Sequence, residues 1–412
     1  MFFSIGNVRA TPLTLEDILD LALKSYPAVL SSLASQEAAG NDLLGAKLKF
    51  LPAPAFNTWR NSVQYMGQSQ TGNLPATTVS LTQPILGGGL VAQYDKYDAR
   101  NSAAMHQLNE TRDEVAVRVI AAYADWVRSY LKTIALQEQV QLHEKLVGQV
   151  TRRYEAGVTA GVDRDLAISR LNLASAELES QTSAEKTALS VLSKFAGVSI
   201  SRENMSTNIP RGVPLPSRGD VIFRTISVNA RLQRLKFETE AMEAESSEVL
   251  SQSLPSVSLQ AVHQVGNAYV PGYPGYNSVG LVLQYSPPGG FSGIASTRAA
   301  AGRAKASKFQ METAKEELIE SVNSDYNNLE SSKSKIAQLN SASSLSNDIS
   351  KSFDRQFLVG KKSWLELMNA LREKVQVQSA LADAKALYLT SNYRLLVYTR
   401  ALDDSSSINP MK

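Results

Sequence analysis

Arg152-Arg153-Tyr154-Glu155-Ala156-Gly157 returns 203 positions later as Arg355-Gln356-Phe357-Leu358-Val359-Gly360. The same offset lays Tyr123 on Tyr326, Pro84 on Pro287, Gly87 on Gly290 and Leu51-Pro52 on Leu254-Pro255. One offset for every pair means a duplicated unit with no net insertion between its copies. A fixed internal period marks an architecture that sets copies side by side. Function is therefore carried by the repeated unit and not by one catalytic patch.

Each copy of that segment closes a long proline-free stretch, Leu90 to Tyr154 and Ser292 to Phe357. At a rise of about 1.5 Å per residue, each predicts a helix of roughly 90 to 100 Å, far longer than a compact domain needs. Gly157-Val158-Thr159-Ala160-Gly161 and Gly360-Lys361-Lys362-Ser363 then stop the helices, since glycine adopts the left-handed conformation that ends one. Helices resume at 162–197 and 364–402, with Asp163 and Glu366 early enough to suit the positive dipole end.

Upstream of each long helix the periodicity changes to two. Thr58, Arg60, Ser62 and Gln64 alternate with Trp59, Val63 and Tyr65, although Asn57 and Asn61 interrupt the apolar side. Val79, Leu81 and Ile85 alternate with Thr78, Ser80 and Thr82. The second copy repeats this with Val257, Leu259 and Ala261, and again with Val279, Leu281 and Leu283. Strands are expected at 55–66, 77–86, 256–266 and 277–286, paired as two hairpins through Gly/Pro/Asn-rich loops. Ten residues is about the length of a membrane-spanning strand. Each hairpin ends in a corner, Pro84 with Gly87, Gly88 and Gly89, and Pro287 with Gly289 and Gly290, where glycine permits a sharp change of direction.

The organisation is thus an N-terminal tail at 1–13, a first repeat at 14–198, a Pro-rich linker at 199–216, a second repeat at 217–402 and a C-terminal tail at 403–412. Thr14 is placed to cap the first helix, with Asp17 in its first turn. Met1 to Ala10 reads either as the remnant of a secretory signal ending in Val8-x-Ala10 or as a plain extension.

Composition narrows the function. Among 412 residues, Lys and Arg number 42 against 39 Asp and Glu, which leaves no basic footprint for nucleic acid. The absence of cysteine removes disulfides, thiolate metal sites, cysteine nucleophiles and a lipoprotein anchor. No run of about 18 apolar residues predicts a transmembrane helix. His106, His143 and His263 lack ligand spacing. Gly360-Lys361-Lys362-Ser363 is no phosphate loop, because Arg355 stands where that motif needs glycine. No catalytic residues, metal or cofactor are expected.

In hydrocarbon a sheet must close on itself. Four strands per chain are too few, and eight make a barrel filled by side chains, so three copies giving twelve strands are the smallest assembly with a passage. The fold class expected is mainly α with a membrane β-barrel portion: a trimer forming a 12-stranded barrel continuous with a long α-helical barrel.

The duplicated helix-strand-strand-helix-helix unit, the Pro-x-x-Gly-Gly corner and the tips Tyr154-Glu155-Ala156-Gly157 and Phe357-Leu358-Val359-Gly360 resemble the TolC family of outer-membrane channel-tunnels, over essentially the whole chain. The resemblance implies a homotrimer in outer-membrane lipid with its helices in the periplasm. It also implies a periplasmic adaptor and an inner-membrane ABC transporter as partners, and an exported substrate. Ala121-Ala122-Tyr123-Ala124-Asp125-Trp126, His143-Glu144-Lys145-Leu146 and Asp165 to Leu171 are similar to the subgroup exporting large adhesins through type I secretion. Drug or metal efflux is the alternative within the family. A soluble coiled-coil scaffold is the alternative outside it.

The family's periplasmic gate, carried over by resemblance, falls on Asp163, Phe357, Lys362, Glu366 and Asn369. Lys362 stands for a closing arginine, Glu366 and Asn369 for two aspartate rings, and Phe357 for a gating tyrosine. Asp163 matches the aspartate that receives the closing link. One ring would stay acidic and one would be neutral, which implies weaker cation binding. Ala156, Gly157, Val158, Val359, Gly360 and Lys361 match the adaptor-contact tips. From position alone, Asp163 and Glu366 are equally dipole partners and the tip glycines equally helix stops. Trp59 and Tyr65 belong either to an interfacial aromatic belt or to core packing.

Overall fold

The computed structural model describes residues 12–65, 68–210, 212–266, 274–286, 290 and 292–401. Pro287 and Gly289 of the second corner lie outside the described residues, as do the C-terminal tail and all but the last two residues of the N-terminal one. Leu13 forms a parallel bridge with Met205.

The helices are α1 (Leu15–Ser25), α2 (Pro27–Leu48), α3 (Leu90–Glu155), α4 (Gly161–Ala196), α5 (Arg218–Val228), α6 (Ala230–Gln252), α7 (Ser292–Leu358) and α8 (Trp364–Tyr398). The strands are β1 (Ala53–Tyr65), β2 (Gln68–Leu86), β3 (Ser256–Val265) and β4 (Tyr276–Gln284). The 203-residue offset recurs in the starts of α1 and α5, α2 and α6, β1 and β3, and α4 and α8. It extends to the caps. Thr14 and Asp17 form a capping box on α1, and at the same offset Ser217 accepts from the Asp220 N–H on α5.

Two compact units emerge, one of residues 31–110 and 230–315 and the other of 1–30, 111–229 and 316–412. The first holds all four strands. They form a single antiparallel sheet in the order β1-β2-β3-β4, so the two expected hairpins are joined by the β2–β3 pairing. β2 begins at Gln68, where a loop was expected up to Ala76, because its ladder with β1 continues to Gly72 opposite Val63. Among the described residues β2 pairs with β3 from Thr77 onward, and Pro75 stands outside that ladder.

Register assigns the faces. Phe56, Val79 and His263 lie opposite one another in turn, as do Pro54, Leu81, Ala261 and Val279. Leu259 opposite Leu281 and Val257 opposite Leu283 extend the same face. It is mainly apolar, with His263, Asn277 and Gln83 among its polar exceptions, yet open, with Leu281 70% exposed. The other face carries Thr82, Gln260 and Gly280 in one row and Ser80, Val262 and Ser278 in the next. Trp59 lies opposite Ala76 on this more polar face, on the side of β1 away from Thr58 and Arg60 as the alternation expects, while Phe56, Thr58 and Arg60 join the face of Val79 and Leu81. Asn57 and Asn61 blur that alternation, and pairing with β2 decides it.

Beside the sheet, the turn that ends α2 meets α3 through Lys49 Nζ on Gln93 at 2.9 Å and Phe50 edge-on to Tyr94. α3 meets α6 through Lys96–Glu248 at 2.5 Å, Arg100–Glu245 at 2.9 Å, an Arg234–Glu110 pair and a stacked His106–Phe237 contact. α6 meets α7 through Thr239 and Ser307. The order is α2, α3, α6, α7, with α2 and α7 on the flanks.

Among the described residues the second unit is mainly helical, with the Leu13–Met205 bridge and the 199–216 linker among its non-helical parts. Along α3 the Trp126 ring stacks on Tyr130 and meets Tyr123 at a tilt, with Tyr123 and Trp126 fully buried. Buried charges are paired, Lys374 with Glu138 at 2.6 Å and Asp325 with Arg394 at 3.3 Å. The Asn392 amide grips Val213 through both its N–H and its carbonyl. Among the described residues no helix is long and apolar enough to cross a membrane.

Candidate functional site

The end of the helical unit is built twice by the same local rule. At the end of α3 the Gly157 N–H donates to Tyr154 and the Val158 N–H to Arg153. At the end of α7 the Gly360 N–H donates to Phe357 and the Lys361 N–H to Gln356. Both are Schellman stops, with φ of 72° at Gly157 and 76° at Gly360, which is where glycine is needed. The turns leave Ala156, Gly157, Val158, Val359, Gly360 and Lys361 all exposed, with Val158 at 74% and Val359 at 68%.

On the second tip Ser363 caps α8. Its hydroxyl accepts from the Glu366 N–H at 3.2 Å, while the Glu366 carboxylate accepts from the Ser363 N–H and hydroxyl at 3.0 Å each. Lys362 Nζ donates to the other Glu366 oxygen at 2.5 Å and lies over the Phe353 ring. The Lys362 hydrogen bond, followed by those from Ser363, pulls the Glu366 pKa down to about 2. Both carboxylate oxygens are thus engaged within the chain, and the adjacent ammonium offsets the charge. The Ser-x-x-Glu spacing is a sequence signal for this capping box that the motif reading passed over.

The remaining expected residues are placed differently. Asn369 is exposed and its side-chain oxygen accepts from Arg372 at 3.1 Å, so a cation stands beside the neutral position. Asp163 is half-buried in the first turn of α4, and no ion pair reaches it among the described residues. Lys362 and Asp163 are not joined within the chain. The neighbouring Arg164 pairs with Asp165 and covers the Tyr154 ring at 4.6 Å.

Phe357 is only 2% exposed. It packs with Leu146, Val150, Leu367, Met368 and Leu371, joining the ends of α3, α7 and α8. Arg153 crosses from α3 to lie 4.4 Å over its ring and to donate to its carbonyl at 3.0 Å. Nothing local in the sequence signals Arg153, because the contact spans 204 residues.

The glycine corner belongs to the strand-bearing unit. Pro84 precedes a register shift ending at Leu86. Gly87 then turns with φ of 88°, and a Cβ there would lie 2.4 Å from the Pro255 carbonyl oxygen. Gly89 approaches Glu248, whereas Gly88 and Gly290 face open space at positive φ.

Each repeat contributes two strands of the four-stranded sheet, a glycine corner and a pair of long helices joined at a glycine-stopped tip. The outer membrane efflux protein family matches residues 18–198 and 222–399, one span in each repeat, and the chain belongs to that family. The chain is 22% identical over 427 aligned positions to the alkaline protease secretion protein AprF of Pseudomonas aeruginosa, covering 98% of the chain and 88% of AprF. Among solved structures it resembles the outer-membrane channel OprN with a TM-score of 0.81 at 16% identity, covering 93% of this chain and 89% of that one. It also resembles VceC of Vibrio cholerae with a TM-score of 0.80 at 14% identity, covering 93% and 95%. The protein is a channel of the outer membrane, in a family of channels and not of enzymes.

Proposed function

We propose that the protein is the exit duct of a type I secretion system. Three copies would pass a protein substrate from an inner-membrane ABC transporter and its adaptor through the periplasm and outer membrane. The observation that carries this is the likeness to a protease secretion protein along 98% of the chain, through both repeats. The subgroup resemblance in Ala121 to Trp126 favours a large adhesin as cargo. Tyr123 and Trp126 are buried, however, so they act through helix packing and do not touch what passes.

The proposed gate lies at the tips. Glu366 and Asn369 lie three residues apart on the exposed side of α8, Lys362 precedes them in the turn before the Ser363 cap, and Asp163 occupies the matching first turn of α4. With Glu366 compensated by Lys362, and Arg372 beside Asn369, this entrance carries little net negative charge, so cation selection would be weak. Phe357 contributes by holding the hairpin ends together. The exposed tip residues Val158 and Val359 supply apolar surface for an adaptor.

Efflux of small molecules is the second reading, favoured by the family's own description. Deleting the chain in its organism of origin separates the two. Loss of one large secreted protein with unchanged tolerance of toxic compounds supports secretion. Unchanged secretion with raised sensitivity transfers the chain to an efflux pump.

A further inference from the structure

A cavity of about 580 Å³ opens in the strand-bearing unit where α3, α6 and α7 adjoin. Arg100, Ala103, Ala104 and Gln107 form its α3 wall, one helix face at spacings of three and four. Arg303, Ala306, Ser307 and Gln310 form its α7 wall. Each residue of the second wall stands 203 positions after its counterpart in the first. The two walls are therefore one motif, Arg-x-x-Ala-(Ala/Ser)-x-x-Gln, supplied once by each repeat.

Elsewhere in this stretch the repeats differ. When Gln93 to Asp113 is laid on Ser296 to Glu316, Arg100, Ala103 and Gln107 are the only residues that recur. All three line the cavity. Burial is not what selects them, because Ala99, Leu108 and Glu110 are buried on α3 and become Gly302, Met311 and Thr313.

The lining holds three charges. Arg100 is paired with Glu245 at 2.9 Å, and Glu238 on α6 takes Arg234 at 2.7 Å. Arg303 Nε donates to the carbonyl of Ala299 in its own helix at 3.4 Å, and no ion pair involves it among the described residues. The charge left to be answered is a guanidinium, whose fork of donors suits carboxylate or sulfonate oxygens. Ala103, Ala241, Met242 and Ala306 give the space between the walls an apolar lining. On each wall the glutamine stands about 10 Å along the helix from the arginine.

We propose that the cavity binds a dissolved amphipathic organic anion, with its charged end on Arg303, its apolar body along the alanines and Met242, and its far end at the glutamines. The volume lies in the range of sites that take a drug-sized molecule. The ligand comes from water and not from lipid, because none of α3, α6 and α7 is apolar enough to cross a membrane. The site goes beyond the exit-duct reading and holds whether the duct carries protein or small molecules.

The test is calorimetric titration of 1-naphthalenesulfonate into the full-length protein in lipid nanodiscs, with empty nanodiscs as the blank. Saturable binding at one site per chain is expected. Arg303→Gln should weaken it about tenfold or more, as for loss of a hydrogen-bonded charge, and Arg303→Lys should lose less. 1-Naphthylmethylammonium has the same body and the opposite charge, and should bind about tenfold or more weakly than the sulfonate. Ala306→Phe fills the cavity and should abolish binding. Arg303 is exposed, so its substitutions leave the fold intact and keep the test decisive should Ala306→Phe fail to assemble. No saturable binding above the blank, equal binding of the cation, or parent-like affinity in Arg303→Gln would each overturn the proposal.

Discussion

Lys362 and Glu366 are held together one helical turn apart, at 2.5 Å, by a carboxylate that also closes the capping box of Ser363. The acidic residue of the proposed gate is therefore a helix cap before it is anything else. Its second oxygen is taken by a cation from the preceding turn. A carboxylate engaged in this way keeps its charge under acid but exerts a weaker field on the passage than a lone one.

A pH dependence follows from the depressed pKa. Glu366 titrates near 2 in the folded chain against an ordinary value of 4.5, so its contribution is fully present above about pH 4.5. It is lost as pH falls from there toward 2. Thermal unfolding of the detergent-solubilised protein should show Glu366→Gln less stable than the parent at neutral pH. The gap should close between pH 4.5 and 2; a gap independent of pH would show that the charged interaction is not the source.

Ion selectivity should respond to Lys362 more than to Glu366. Removing the ammonium in Lys362→Met leaves Glu366 uncompensated, so cation preference should rise. Lys362→Met with Glu366→Gln should return it close to the parent value. Reversal potentials in planar bilayers under a salt gradient decide this. An unchanged potential in Lys362→Met would place the pair away from the conducting path.

Phe357→Ala removes a buried ring from the junction of α3, α7 and α8. The expected cost is about 3 to 5 kcal/mol, as for other large-to-small core changes. Arg153→Met leaves the ring but loses the guanidinium and its hydrogen bond to the Phe357 carbonyl, for about 1 kcal/mol. Denaturant midpoints should rank the two in that order. Equal losses would mean that the arginine, and not the ring, holds the junction.

The first corner offers a matched pair of tests. Gly88→Ala meets open space and carries only the strain of a left-handed residue, about 1 kcal/mol. Gly87→Ala carries the same strain and also drives a Cβ into the Pro255 carbonyl. Membrane-assembled protein should therefore fall sharply in Gly87→Ala and little in Gly88→Ala. Comparable yields would show that the approach of β2 to Pro255 is not needed for assembly.

What the sequence determined by itself is the part governed by local rules. Glycines at 157 and 360 stop helices because only their conformation allows the turn, and Thr14 and Ser217 start them because a hydroxyl satisfies nearby N–H groups. The single offset carries both sets of rules from one repeat to the other, so the element order was legible from end to end. The tertiary structure decided what depends on distant partners. Pairing with β2 placed Trp59 on the more polar face of the sheet, and β2 against β3 merged two hairpins into one. Burial among α3, α7 and α8 made Phe357 a packing residue, with Arg153 above it. A side chain's neighbours within one turn are fixed by helical or strand geometry, whereas its neighbours 200 residues away are fixed only when the chain has folded.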